Sequence, residues 1–221
     1  MMGIRRYFKT KDKSQVHVFS RTLGLDHKEM TGRKMLLEFD PASNYEKAIR
    51  DFATEALANA EQTIVFTRRG GAVHSSLCEH KNAKFFCFTQ QLSVPKEFSE
   101  NEILLPSADT SLMLSILDKT LKAYPQSIIN MVFDNLSDLV LSIGFDKTYR
   151  FIKYALEMLA SPRTTVLFLL NQTAHDPKIT SNLKSLFSNQ ISFGKGGMQT
   201  VKLSKAEITM VEMGVLPLKG E

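Results

Sequence analysis

The stretch Thr63-Ile-Val-Phe-Thr-Arg-Arg-Gly-Gly-Ala-Val-His-Ser-Ser-Leu77 decides the fold class of this chain. It opens with a short apolar run, passes through a glycine-containing turn, and leads into a segment that can form a short helix at 75–80. A strand that leads through a tight turn into a helix is the repeating unit of sheets with parallel strands. We therefore expect an α/β fold in which this unit recurs.

The unit does recur on both sides of this stretch. Apolar runs predict strands at 36–39, 63–67, 84–89, 127–134 and 165–170, and amphipathic stripes predict helices at 45–60, 108–124, 146–160 and 179–187. Two prolines and mixed polarity predict a loop at 91–106. A glycine-rich turn at 194–197 separates two short strand patterns and predicts a hairpin. The order predicts a mostly parallel sheet with helices on both faces and a C-terminal β-hairpin.

Charge divides the chain into three parts. The net charge is +5, and residues 1–35 hold nine basic against three acidic side chains, which leaves the remainder close to neutral. We predict a basic N-terminal extension at 1–35, a body at 36–204 and a C-terminal tail at 205–221. The extension has few apolar residues, so we expect it to pack weakly. It could contact nucleic acid or an anionic membrane surface, or simply be a solvated tail.

The two cysteines and the longest apolar runs argue against a disulfide-bonded, a metal-binding and a membrane-spanning protein. Cys78 and Cys87 lack metal-ligand spacing, and Cys87 lies in the apolar run Phe85-Phe86-Cys87-Phe88. We predict a buried reduced thiol rather than a disulfide. No apolar run is long enough to span a bilayer, and the first residues lack a signal-peptide pattern, so we expect a cytoplasmic protein. No metal and no cofactor is predicted.

The turn after the strand at 63–67 has the position of a phosphate-binding loop but not its residues. The motif G-x-x-x-x-G-K-[ST] places Arg68 at the first glycine, Val73 at the second and His74 at the lysine. Ser75 alone keeps its expected type. A branched Val73 disfavours the glycine backbone that aims N–H groups at a phosphate, and His74 is shorter than lysine and mostly neutral at pH 7. The loop has therefore lost its phosphate site.

A second candidate position is Asp134, which ends an apolar strand where open α/β sheets bind ligands. Its carboxylate could hold Mg²⁺ through water, or it could accept N–H bonds within a turn, and we favour the turn because no lysine is present. Arg68 and Arg69 could bind an anion, or one of them could pair with Asp134 and plug the vacant site. The predicted vestigial nucleotide site comprises Arg68, Arg69, Gly70, Gly71, His74, Ser75 and Asp134.

Three ordered stretches give the chain a resemblance to the KaiC/RecA-like ATPase superfamily. They are 64–77, the segment Ile128-Ile-Asn-Met-Val-Phe-Asp-Asn-Leu-Ser137 and 165–171. The second resembles the Walker B strand and its turn. The chain is most similar to archaeal domains of unknown function that are treated as eroded KaiC relatives, on Phe39-Asp40-Pro41, Phe66-Thr67-Arg68, Phe133-Asp134-Asn135-Leu136-Ser137-Asp138 and His175-Asp176. The resemblance covers roughly 36–203.

The resemblance implies a RecA-like fold and a link to signalling or transcriptional control. Active members carry acidic residues just after their second strand, but here Phe88 is followed by Thr89-Gln90-Gln91. Missing acidic residues and a missing lysine both affect phosphoryl transfer, which depends on positioning and charge. Asn171, Gln172 and His175 lie at positions where the superfamily senses the γ-phosphate. They could instead cap the next helix, and we favour this second role.

These observations predict a catalytically inactive domain, a pseudo-ATPase, that acts as a signalling or regulatory protein-interaction module. We expect a protein partner, and the crevice could hold a small anion or metabolite; an oligomer is compatible with the sequence. The first alternative is a weak or unorthodox P-loop ATPase. The second is a nucleic-acid-binding RecA-like protein that uses the basic extension.

Overall fold

The computed structural model describes residues 18–80, 82–107, 109–134 and 136–204. The helices are α1 (Phe19–Thr22), α2 (His27–Met30), α3 (Glu46–Ala58), α4 (Ala72–Leu77), α5 (Thr110–Ala123), α6 (Leu136–Ile143), α7 (Phe145–Met158) and α8 (Pro177–Ser185). The strands are β1 (Lys34–Phe39), β2 (Gln62–Arg68), β3 (Ala83–Thr89), β4 (Lys96–Ser99), β5 (Glu102–Pro106), β6 (Ile129–Phe133), β7 (Thr164–Asn171), β8 (Asn189–Gly194) and β9 (Gly197–Lys202).

The described strands form one sheet in the order β4-β5-β3-β2-β6-β7-β1-β8-β9. The inner strands from β5 to β8 run parallel, and β4 and β9 pair antiparallel at the two edges. The predicted α/β class is therefore confirmed, with its mostly parallel sheet and its C-terminal hairpin of β8 and β9.

Helices cover both faces of the sheet, and each face has its own apolar core. One face packs α1, α2, α3 and α4 around Phe19, Phe52 and Leu77. The opposite face packs α5, α6, α7 and α8 around Phe133 and Phe168. The inner strands read as continuous apolar runs because their side chains are buried on both faces.

This topology creates a crevice beyond the carboxyl ends of the central strands. The chain leaves β1 and β2 through helices on the first face, and it leaves β6 and β7 through helices on the second. β2 lies beside β6, and β1 lies beside β7. Neighbouring strands whose connections diverge to opposite faces leave a crevice beyond their carboxyl ends, which is where open α/β sheets bind ligands.

Three elements, in two segments of the body, were not predicted from the sequence. The segment 91–106, predicted as a loop, contains β4 and β5, and β5 pairs with β3 in parallel. Pro106 did not exclude a strand because it is the last residue of β5. The helix α6 was also not predicted, since it follows β6 almost directly and its eight residues are too few to show a clear helical stripe.

The N-terminal segment from Val18 belongs to the body, so the prediction of weak packing is wrong for residues 18–33. Phe19 and Met30 are fully buried. The Glu55 carboxylate accepts the backbone N–H groups of Val18, Phe19 and Ser20 at 2.7–3.0 Å. The remainder of the predicted extension, at 1–17, and the C-terminal tail at 205–221 lie outside the described residues.

Two basic side chains of this segment, His27 and Arg33, are buried and paired, whereas Arg21 and Lys28 are exposed. His27 contacts Glu55 through Nδ1 and Glu61 through Nε2, both at 2.8 Å. Arg33 donates to the Asn189 side chain at 2.9 Å and to the Ser204 carbonyl at 2.8 Å. Counting charge along the sequence could not reveal these partners, because they lie far away in the chain.

Candidate functional site

A crevice of about 900 Å³ opens at the carboxyl ends of β2, β3 and β6. It contains five of the seven residues predicted from the sequence: Arg68, Arg69, Gly70, His74 and Asp134. Gly71 and Ser75 are not in its lining. The rest of the lining mixes amides and hydroxyls with the apolar side chains of Phe88, Met113, Leu139 and Leu141.

The turn between β2 and α4 is too tight to form a phosphate cradle. Gly70 has φ +72°, a conformation that favours glycine, and the Gly71 N–H bonds to the Arg68 carbonyl at 2.9 Å. α4 starts at Ala72, so Val73 already lies inside the helix and is buried in the core. Ser75 is exposed. The residues that would cradle a phosphate are therefore part of a short, closed turn and a packed helix.

Asp134 lies on the floor of the crevice between β2 and β6. Its carboxylate accepts a hydrogen bond from the Thr67 hydroxyl at 2.6 Å, and its backbone N–H bonds to the Phe66 carbonyl at 2.8 Å. Burial raises the pKa of Asp134 to about 6, and the carboxylates of Asp138 and Glu46 add to this effect, whereas Thr67 and Arg68 oppose it. The floor of the crevice therefore concentrates negative charge.

The two arginines do not plug the crevice as predicted. Arg69 Nε donates to Glu102 Oε1 at 2.7 Å, and its guanidinium lies 3.6 Å from the centre of the Phe98 ring. Arg68 is exposed, and among the described ion pairs neither arginine contacts Asp134. The physical reason is that Arg69 follows the end of β2 and reaches the acidic residue of β5. Arg68 is near enough to lower the pKa of Asp134 but remains available to bind an anion.

The turn between β1 and α3 is a second position where a phosphate-binding loop could lie, and it was not predicted as one from the sequence. Laying G-x-x-x-x-G-K-[ST] on residues 40–47 places Asp40 and Tyr45 at the glycines and Glu46 at the lysine. Asp40 closes the turn itself, because its carboxylate accepts the Ala42 N–H at 2.9 Å. This unit could have been found from its strand, its Asp-Pro turn and the helix that follows.

Tyr45 fills the space beside this turn. Its ring stacks on Phe39, with the ring centres 3.9 Å apart. Burial raises the pKa of Tyr45 to about 12, and the nearby Asp134 carboxylate contributes. The ring of Tyr45 and the carboxylate of Glu46 therefore occupy the positions where a phosphate loop has its second glycine and its lysine.

Two of the three residues that stand where the superfamily senses the γ-phosphate line a different, smaller crevice. Gln172 and His175 line a cavity of about 490 Å³ beside α8. Asn171 Oδ1 accepts bonds from the Thr173 backbone N–H at 3.0 Å and its hydroxyl at 2.9 Å. Asp176, rather than Asn171, caps α8 by accepting the Lys178 N–H at 2.7 Å. The favoured capping role is thus taken by a neighbouring residue.

A cluster of metal-ligating side chains lies beside the crevice and was not predicted. His74 on α4, Cys87 on β3 and Glu102 on β5 bring their ligand atoms within 4.8 Å of one another. Cys87 is buried, as predicted, and both cysteines are free. Burial and the adjacent Glu102 carboxylate raise the pKa of the Cys87 thiol to about 12. The three residues are far apart in sequence, so only the fold reveals them.

No protein-family model matches this chain, and a search of curated proteins finds no match either. The KaiC/RecA-like relationship therefore stays a prediction. Within the described residues, no helix combines the length and the apolar character needed to cross a membrane.

Proposed function

We propose that this chain is a RecA-like domain that does not hydrolyse nucleotides and acts as a regulatory protein-interaction module whose crevice binds a small metabolite. One observation carries the proposal. Two strand–turn–helix units, β2–α4 and β1–α3, end at the carboxyl edge of the sheet beside diverging strands, yet neither has glycine at the two glycine positions of the phosphate-loop motif or lysine at its lysine position.

The charges of the crevice argue against a triphosphate. Asp134, Asp138 and Glu46 lie close enough for the last two to raise the pKa of the first. Arg69, which could otherwise bind a phosphate, is held by Glu102. Phosphoryl transfer needs cations around the γ-phosphate, and carboxylates without a lysine would repel it.

Asp134 itself supports a binding role. Its pKa of about 6 means that ionising this carboxylate in the folded protein costs stability. Groups in a crevice whose pKa is strongly shifted are candidates for function, because ligand binding and catalysis use such groups. A ligand that offers a hydrogen-bond donor or a cationic group to Asp134, and an acidic group to the exposed Arg68, would satisfy both.

The mouth of the crevice offers a surface that a protein partner could contact. Leu141 on α6 lies at this mouth and is 71% exposed. Asp138 and Ser142 on the same helix also line the crevice. A partner that contacts α6 at this point would respond to whether the crevice is occupied, and so the ligand would regulate the interaction.

A thermal-shift panel tests this proposal. We expect MgATP to leave the melting temperature unchanged in the tens-of-micromolar range and phosphate release to stay at the blank. Among small carboxylated and phosphorylated metabolites, at least one should raise the melting temperature, because a ligand stabilises the state that it binds. Arg68→Ala should abolish this rise, whereas Arg150→Ala, an exposed arginine of α7, should not.

Two outcomes of this experiment would contradict the proposal. If MgATP raises the melting temperature by several degrees and Asp134→Ala removes the rise, the crevice is a nucleotide site and the first alternative, an unorthodox ATPase, replaces this proposal. If no metabolite of the panel shifts the melting temperature, the ligand-binding part of the proposal is rejected.

A further inference from the structure

We propose that His74, Cys87 and Glu102 form a binding site for one Zn²⁺ ion. The three side chains come from three elements, α4, β3 and β5, and meet on the face of the sheet that α4 covers. This inference does not rest on the proposed function of the crevice, because none of its donors is used there to bind the metabolite.

The distances fit a zinc site. The ligand atoms of the three residues all lie within 4.8 Å of one another, and His74 Nε2 is 3.8 Å from Glu102 Oε1. Two atoms that bind one zinc ion tetrahedrally, at about 2.0–2.3 Å each, are about 3.5 Å apart. Small side-chain rotations therefore suffice to close the site around an ion.

The chemistry of the donors favours zinc over hard cations. A thiolate, an imidazole nitrogen and a carboxylate are the three side-chain types that bind Zn²⁺, whereas Mg²⁺ and Ca²⁺ take oxygen ligands. One thiolate and one carboxylate balance the charge of Zn²⁺, so the filled site would be neutral. Three protein ligands leave one position for water or for a group from a bound molecule, as in zinc sites of the open type.

Neighbouring groups already hold two of the three ligands in place. Arg69 Nε donates to Glu102 Oε1 at 2.7 Å, and the ring of His74 lies edge-on to Phe85 with the ring centres 5.5 Å apart. Outer partners of this kind orient metal ligands and contribute to metal affinity. His74 and Arg69 also line the crevice, so an ion has a path to the site from solvent.

The second cysteine provides a matched control. Cys78 is free and exposed at the end of α4, outside the cluster, whereas Cys87 is buried within it. His80 is a comparable control for His74, because it lies in the same region of the chain but outside the cluster.

Cobalt titration of the full chain under reducing conditions tests the site, since Co²⁺ replaces Zn²⁺ and a cobalt–thiolate bond gives a charge-transfer absorption band. We expect about one Co²⁺ per chain, and we expect competing Zn²⁺ to remove the band. The band should persist in Cys78→Ser and disappear in Cys87→Ser. Calorimetry with Zn²⁺ should show affinity reduced at least about tenfold in His74→Gln and Glu102→Gln, but unchanged in His80→Gln.

Several results would overturn the proposal. They are no band in the wild-type chain, a band that Cys87→Ser retains, or a band that Cys78→Ser loses. Because Cys87 is buried, its variant could fail to fold. In that case the partly exposed His74 decides: unchanged Zn²⁺ affinity in a folded His74→Gln protein rejects the site. None of these readouts depends on a ligand in the crevice.

Discussion

Replacing His27 by glutamine should remove a pH-dependent contribution to stability that the structure attributes to a buried charged cluster. His27 is 5% exposed and lies between Glu55 and Glu61, with both ring nitrogens 2.8 Å from a carboxylate oxygen. Glu61 is in turn hydrogen-bonded to the Asn130 amide. These carboxylates raise the pKa of His27 from 6.5 to about 9.

The magnitude follows from that shift. A difference of this size between folded and unfolded states corresponds to about 3 kcal/mol. Burial acts to raise the pKa of Glu55, but hydrogen bonds from His27, Ser20 and Val18 outweigh it and lower this pKa to about 2. Because the His27 contact is shared, this second shift is not added to the first. Because the folded pKa of His27 is raised, its contribution is complete below pH 6.5 and is lost as the pH rises to about 9.

Urea unfolding at several pH values between 6 and 9 measures this effect. We expect His27→Gln to be less stable than the wild type by about 3 kcal/mol at pH 6, with the difference shrinking to under ~1 kcal/mol at pH 9. The difference between the two proteins is the useful quantity, because burial also lowers the pKa of Lys34 to about 8 and this affects both equally. A constant difference across the pH range, or an equal change in the control His80→Gln, would refute the reasoning.

Two further substitutions follow from single observations. Asp134→Asn should stabilise the protein by about 3 kcal/mol at pH 7.5 but hardly at pH 4, because the raised pKa of about 6 makes ionisation costly only above the usual carboxyl range; urea midpoints that shift equally at both pH values would contradict this. Gly32→Ala should destabilise by more than about 2 kcal/mol, because Gly32 has φ +84° and an added Cβ would lie 2.5 Å from the Pro162 carbonyl oxygen. Thermal melting against the control Gly196→Ala, where φ is not positive and the space is open apart from one side-chain contact at 3.7 Å, checks it.

The sequence was sufficient to predict the fold class because local patterns determine it. Continuous apolar runs identified the strands β1, β2, β3, β6 and β7, and their spacing from the helices identified the parallel sheet. The predicted position of Asp134 at a strand end also placed it correctly in the crevice. Each of these predictions depends only on residues that are close together in the chain.

The errors have a different cause, because the sequence does not show which side chains a charged residue will contact. The basic charge of the N-terminal extension suggested weak packing, yet His27 and Arg33 in it are buried because Glu55, Glu61 and Asn189 bind them. Arg69 was expected at Asp134 but binds Glu102, on a strand that was itself predicted as a loop. The sequence shows that a charged side chain needs a partner if it is buried, and only the three-dimensional fold shows which partner it contacts.

The place of β1 in the sheet has a consequence for the synthesis of the chain. β1 is the first of the described strands to leave the ribosome, but its two neighbours are β7 and β8, which begin only at Thr164 and Asn189. Until β7 has emerged, the buried residues Met35, Leu36 and Leu37 have no native strand to pair with. Nascent or truncated chains therefore expose an apolar strand with two open edges, which is a site for aggregation and for chaperone binding.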